Sequence, residues 1–161
     1  MKSISIFALA TSLLLSANIT IAQPMGGPMM GGGMMKGGGM MGNSSPRRFY
    51  AMRNGIPPQF STMRNPLSPT ASNIAAGKQL YAAQCAACHG SSGHGDGPAG
   101  AQLNPPPSDL TFAVHTPIAS DGYLYWTLAE GGTPIGSAMP AFRNSLSIDD
   151  AWKIILYLRQ L

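Results

Sequence analysis

The stretch Cys85-Ala86-Ala87-Cys88-His89 determines how the rest of this sequence is interpreted. Its two cysteines are the only ones in the chain, and its surroundings are rich in alanine and helix-compatible. On a helix, side chains three and four positions apart share one face. The two thiols and the imidazole can therefore meet one flat ligand together.

Three uses of this C-x-x-C-H motif compete. A thioredoxin-like redox pair requires a strand-helix-strand setting, which the helical pattern does not offer. A structural zinc site requires four Cys or His ligands, and the other histidines, His94 and His115, lack the required spacing. The motif is also the signature for covalent attachment of c-type haem, with thioethers from Cys85 and Cys88 and with His89 as proximal iron ligand. We therefore predict one covalently bound haem c.

Residues 1–22 have the pattern of a signal peptide. Lys2 precedes an apolar run, and Thr20 and Ala22 place small residues where signal peptidase requires them, with Gln23 as the mature start. An uncleaved membrane anchor is the alternative, because the charge-free stretch is nearly long enough to span a bilayer. We expect cleavage and a periplasmic protein, since export supplies the compartment in which bacteria attach c-type haem.

Residues 23–42 form a Met/Gly-rich segment with an imperfect Gly-Gly-x-Met-Met repeat. So much glycine predicts a flexible N-terminal arm, because burial could not offset the entropy of ordering it. Either the methionines are incidental to a tether, or their soft thioether sulfurs converge on Cu(I). The candidate copper ligands are Met25, Met29, Met30, Met34, Met35, Met40 and Met41.

Residues 43–69 are basic and rich in proline, and the proline spacing discourages both helix and strand. Apolar residues such as Phe49 and Phe60 are nevertheless too frequent for a pure linker. We expect an irregular basic strap laid over the surface of the domain. A disordered continuation of the arm is the alternative.

The balance of charged residues also changes between residues 69 and 70. Residues 23–69 carry five basic and no acidic side chains, whereas residues 70–161 carry four basic and six acidic ones. The pI of about 9.3 therefore describes the N-terminal segments and not the domain. Basic segments can bind nucleic acid, but an exported chain seldom meets any. We expect no nucleic acid, and instead an anionic protein partner or a membrane surface.

Residues 70–161 have the pattern of a helical domain. A helix capped by Ser72 or Asn73 runs to the cysteines, a second begins at Ser120, and a third begins at Ser147 and continues to the C-terminus. Gly77 inside the first helix costs about 1 kcal/mol relative to alanine. We expect it to allow a close crossing by the last helix.

Prolines 105 to 107 follow the glycine-rich loop after His89. An axial histidine needs its other ring nitrogen held by an acceptor, which fixes the tautomer and the ring plane. A carbonyl of Pro105, Pro106 or Pro107 is suited to this role, because prolines present acceptors without competing donors.

These motifs, in this order, resemble the class I cytochrome c family, and more closely the single-haem domains similar to subunit III of cbb3-type oxidases. The resemblance covers residues 71–161 and rests on the C-x-x-C-H-G motif, Gly95-Asp96-Gly97-Pro98, Pro106-Pro107 and Met139-Pro140-Ala141-Phe142. It implies a compact all-α cytochrome c fold wrapped around the haem, with His89 and Met139 as axial ligands and electron transfer as the activity.

Met139 also stands out without the resemblance. It is the only methionine downstream of the haem motif, and its loop falls between two helices able to enclose the ring. A core gap-filling role fits poorly with its Gly, Ser and Pro neighbours. His115 is the competing ligand, whereas His94 is expected to face solvent. Met/His ligation is a standard arrangement in cytochromes c.

With both axial positions filled by protein, we predict a single-electron carrier that is not itself an enzyme. Its partners would be redox proteins that donate and accept electrons. Two other functions stay open: a dedicated cytochrome subunit of an oxidoreductase complex, and copper handling through the Met-rich arm.

Overall fold

The structure, a computed structural model, describes residues 45–161, which belong to one compact unit. The predictions for the signal peptide, the Met/Gly-rich arm and its seven candidate copper ligands fall outside the described residues. Within residues 45–161 the regular structure is helical and contains no strand, which confirms the all-α prediction. None of the described helices has the length and apolar character needed to cross a membrane.

Seven α-helices follow one another along the described chain, with two short 3-10 turns at Pro98–Gly100 and Thr133–Ile135. The helices are α1 Pro46–Asn54, α2 Pro58–Ser61, α3 Ala71–Gln84, α4 Ala86–His89, α5 Leu110–Ala113, α6 Asp121–Glu130 and α7 Ile148–Leu158.

Side-chain caps set the starts of the long helices. Ser120 accepts a hydrogen bond from the Tyr123 N–H at the start of α6, and Ser147 does the same for Asp150 at the start of α7. Both starts were predicted from the sequence. The cap of α3 is different: Thr70 accepts from the Asn73 N–H, so the prediction of Ser72 or Asn73 as the cap is wrong.

Helices α3 and α7 cross closely at Gly77, as predicted. A Cβ atom at this position would overlap the backbone carbonyl of Lys153 and come within 3.1 Å of the Tyr157 Cβ. One turn further along, the rings of Tyr81 and Tyr157 pack with their centroids 5.2 Å apart. The crossing fixes α3, and with it the cysteines at its C-terminal end, against the core.

Gly77→Ala is therefore expected to destabilise the folded protein by at least about 2 kcal/mol, because the added methyl group forces two backbones apart. Thermal or urea unfolding of the purified protein measures this. Lys78→Ala, an exposed substitution on the same helix, is the matched control and should change stability by no more than about 0.5 kcal/mol. A Gly77→Ala protein as stable as this control would contradict the close crossing.

The prediction of an irregular strap over residues 43–69 is wrong for its first part, because residues 46–54 form helix α1. Pro46 stands in the first turn, where it has no hydrogen bond to lose, and Ser45 accepts a bond from the Arg48 N–H. The helix ends before Gly55, whose φ of 77° lies in the left-handed region.

The described residues of this segment also lie on the core of the domain. Ala51 is buried, and Phe60 packs on Trp126 with ring centroids 6.4 Å apart. Asn65 fixes the following stretch, since its backbone N–H donates to the Asp121 carboxylate and its side-chain amide donates to the Trp152 carbonyl, each at 3.0 Å. Residues 45–69 therefore share one hydrophobic core with the helices that follow.

Candidate haem site

One large cavity opens between α1, α3, α4, α6 and α7. Cys85, Cys88, His89 and Met139 all line it, among mainly apolar side chains. Its empty space, counted out to the open mouth, is about 1300 Å³. The four residues that the sequence singled out for haem attachment and axial ligation are thus brought to a single apolar cavity.

The two cysteines lie at the junction of α3 and α4. The backbone turns at Cys85, whose carbonyl accepts hydrogen bonds from the N–H groups of Cys88 and His89 at 3.1 and 2.9 Å. Both thiols are free. Burial, reinforced by Cys88, raises the pKa of Cys85 to about 11, so this sulfur is a thiol and not a reactive thiolate at neutral pH. That state disfavours the thioredoxin-like alternative.

The zinc alternative requires several converging ligands. Within residues 45–161, no group of three or more His, Cys, Asp or Glu side chains is arranged to hold a metal ion. The two cysteines and His89 instead line a cavity far larger than a single ion.

His89 is oriented by a backbone acceptor. Its Nδ1 lies 3.0 Å from the carbonyl oxygen of Ser108, and burial lowers the pKa of the imidazole, partly opposed by this bond. A neutral ring that donates from Nδ1 keeps the Nε2 lone pair for a metal. The expectation that a carbonyl of Pro105, Pro106 or Pro107 accepts this bond is wrong: the acceptor is the next residue, and the prolines line the cavity.

A glycine-rich loop folds back over the end of the motif. Gly95 donates to the His89 carbonyl at 2.8 Å, and Gly97 donates to the Cys88 carbonyl at 3.1 Å. A Cβ atom at Gly97 would lie 2.5 Å from the Ala87 carbonyl oxygen, so only glycine permits this approach. The buried Tyr81 hydroxyl donates to the Gly90 carbonyl at 2.7 Å. These contacts hold the histidine backbone in place.

Met139 reaches the cavity from the loop after α6. Its carbonyl accepts from the Gly132 N–H at 2.8 Å, and its N–H donates to the Ser137 hydroxyl at 3.3 Å. Gly131 has a φ of 61°, and its backbone packs directly against Pro140. The loop is thereby tied to the C-terminal end of α6, with the methionine side chain half-buried at the cavity wall.

The two other histidines do not line the cavity. His94 is exposed, as predicted, and its Nδ1 lies 3.5 Å from the Asp109 carboxylate. His115 is also exposed, on the turn after α5. Of the two candidates for the second axial position, the structure therefore brings only Met139 to the cavity that His89 lines.

Sequence reasoning missed two contributors to the site. Ser108 holds the histidine, and Arg47 of α1 lines the cavity although it stands far upstream of the haem motif. The Ser45-Pro46 pair, a helix cap followed by a proline suited to the first turn, is the signal that could have revealed α1.

These residues fit a haem c. Two thiols spaced for thioether bonds, an imidazole held with one nitrogen available and a thioether sulfur line one apolar cavity. Such a site within an all-helical fold defines the class of c-type haem domains.

A model of the family described as "Cytochrome C oxidase, cbb3-type, subunit III" matches residues 72–158. This is more than half of the chain, which therefore belongs to that family and is a c-type cytochrome, as the sequence predicted. The family implies covalently bound haem c and electron transfer.

Several solved structures are similar to this chain. A chain of the reducing HAO-like protein complex of Kuenenia stuttgartiensis is 32% identical, with a TM-score of 0.50 over 59% of this chain and 46% of that one. Cytochrome cL of Methylophaga aminisulfidivorans is 20% identical (TM-score 0.43, 73% and 68% covered), and cytochrome cL of Hyphomicrobium denitrificans is 21% identical (0.44, 74% and 60%). The chain spans about half the length of the first of these. A search of curated proteins gave no match.

Proposed function

We propose that this protein is a single-electron carrier with one haem c, attached through Cys85 and Cys88 and ligated axially by His89 and Met139. The observation that carries the proposal is the convergence of these four side chains on one apolar cavity. The presence of a single C-x-x-C-H attachment motif in the sequence supports one haem.

When bound, the haem supplies a one-electron ferric/ferrous couple. The residues of the chain would attach and orient it, and the apolar wall of the cavity would exclude water from it. If His89 and Met139 both bind the iron, substrate would have no open coordination site, so the activity would be electron transfer and not bond chemistry. Methionine ligation and an apolar surrounding both raise the reduction potential.

The location we propose is the periplasm. The export pattern of residues 1–22 and the requirement of c-type haem attachment for an exported chain both support it.

A second candidate function is a dedicated subunit of a redox complex. The similarity to a chain of the Kuenenia complex supports it, and so does the surface of α1, where Phe49 and Met52 are 55% and 66% exposed beside the basic residues Arg48 and Arg53. An exposed apolar patch with basic residues suits an anionic protein partner. Co-purification of a stoichiometric partner from the native host at moderate salt distinguishes a fixed subunit from a diffusing carrier.

The proposal is tested on the purified holoprotein by a haem assay and a redox titration followed by visible absorption. We expect one haem per chain, a low-spin spectrum in both redox states and a single reversible one-electron transition. In the ferric state we expect the weak far-red band of methionine-ligated haem. A high-spin spectrum that changes on addition of small ligands would instead mean an open coordination site, and would overturn the carrier assignment.

A further inference from the structure

Arg47 is the one buried charged residue among residues 45–161, with a relative exposure of only 7%. It belongs to α1, which precedes the family match at residues 72–158. Its burial is therefore a feature of this chain's own N-terminal segment.

The surroundings of Arg47 do not neutralise it. The guanidinium carbon lies 3.9 Å from the centroid of the Trp126 ring, and Nε is buried without a hydrogen-bond partner. Among the ion pairs of the described residues, none includes Arg47. Burial lowers the pKa of the guanidinium, opposed only by Tyr123 and Tyr50. A buried cation left in this state is costly unless a counter-charge reaches it.

The cavity provides the place for such a counter-charge. Arg47 lines the same cavity as Cys85, Cys88, His89 and Met139. A haem carries two propionate side chains, which are carboxylates at neutral pH. Guanidinium and carboxylate form short, charge-assisted and often bidentate hydrogen bonds, which are especially strong where water is excluded.

We propose that Arg47 binds a propionate carboxylate of the haem, which makes α1 a part of the cofactor site. This rests on the proposed binding of one haem in the cavity. The guanidinium offsets the negative charge of the carboxylate near the iron, and so favours the ferrous over the ferric state. Arg47 is thus a positioning residue that also tunes the reduction potential.

The test compares reduction potentials of three holoprotein variants by spectroelectrochemistry at fixed pH and salt. Arg47→Gln should shift the equilibrium between the protein and a reference redox couple about fivefold toward the ferric protein. At 59 mV per tenfold change for one electron, this lowers the reduction potential by about 40 mV. Arg47→Lys keeps the charge and should stay within about twofold of the parent protein. Arg53→Gln removes an exposed positive charge from the same helix and should also stay within about twofold.

The proposal is overturned if Arg47→Gln shifts the reduction potential no more than Arg53→Gln does. In that case an intact visible spectrum of the same samples shows that the proposed haem binding itself still holds. If Arg47→Gln does not accumulate as holoprotein, NMR of the ferrous parent protein replaces it. Nuclear Overhauser contacts between the Arg47 side-chain N–H protons and the propionate methylene protons support the contact. Their absence in the assigned spectrum overturns it.

Discussion

Replacing Met139 by histidine is expected to lower the reduction potential of the holoprotein by on the order of 0.1 V or more, and to abolish the far-red band of the ferric spectrum. The thioether sulfur is a weaker donor to ferric iron than an imidazole, so its loss stabilises the ferric state. The result holds whether the new imidazole binds the iron or leaves the position to water. Spectroelectrochemical titration measures both effects in one sample.

Met52→His is the matched control, because Met52 is 66% exposed and lies on the outer surface of α1. It should leave the spectrum and the potential unchanged. His115→Ala addresses the competing ligand and is also expected to have no effect, since His115 is exposed and outside the cavity wall. If His115→Ala alters the ferric spectrum while Met139→His does not, the axial assignment is wrong.

Much of the fold could be predicted because local signals agreed with each other. Ser120 and Gly131 bound α6 as their residue types suggest, and Ser147 caps α7 together with its first-turn acids. The close crossing at Gly77 could also be predicted, because a glycine inside a helix needs a packing reason.

Helix α1 forms despite the nearby prolines because they stand at positions that a helix tolerates. Pro46 stands in the first turn and Pro57 follows the end of the helix, so neither interrupts it. The burial of Arg47 could not be predicted from the segment alone. It depends on Trp126, which is distant in sequence and brought close only by the tertiary fold.

The acceptor for His89 shows a similar limit. The chemistry of axial histidines predicts a carbonyl acceptor, and the sequence favours one within prolines 105 to 107. The choice among neighbouring carbonyls depends on how the loop passes over the ring. Here the Ser108 carbonyl faces Nδ1, and the preceding prolines lie along the cavity.

Cys88→Ala is expected to abolish the cooperative folding of the domain, because it removes one of the two proposed attachment bonds of the haem that we propose for the cavity. Core side chains including Leu128, Ile154 and Leu158 line this cavity. A domain of this size buries limited surface by itself, so an apolar group of haem size supplies much of the missing core. We expect a loss of stability above about 5 kcal/mol, which is the whole margin of many domains of this size.

Circular dichroism and thermal unfolding of the purified Cys88→Ala protein measure this loss, as reduced helicity and a broad transition or none. Ser91→Ala, an exposed change in the following loop, should keep covalent haem and a sharp transition. The parent sequence without residues 1–22, produced where haem is not attached, separates the missing haem from the missing thiol. This protein retains every side chain of the core and lacks only the haem. If the haem supplies the missing part of the core, this protein should be as poorly folded as the variant. Full helicity and a sharp transition in the haem-free parent sequence, or in Cys88→Ala protein whose absorption spectrum shows no haem, would mean that the helices fold without the cofactor.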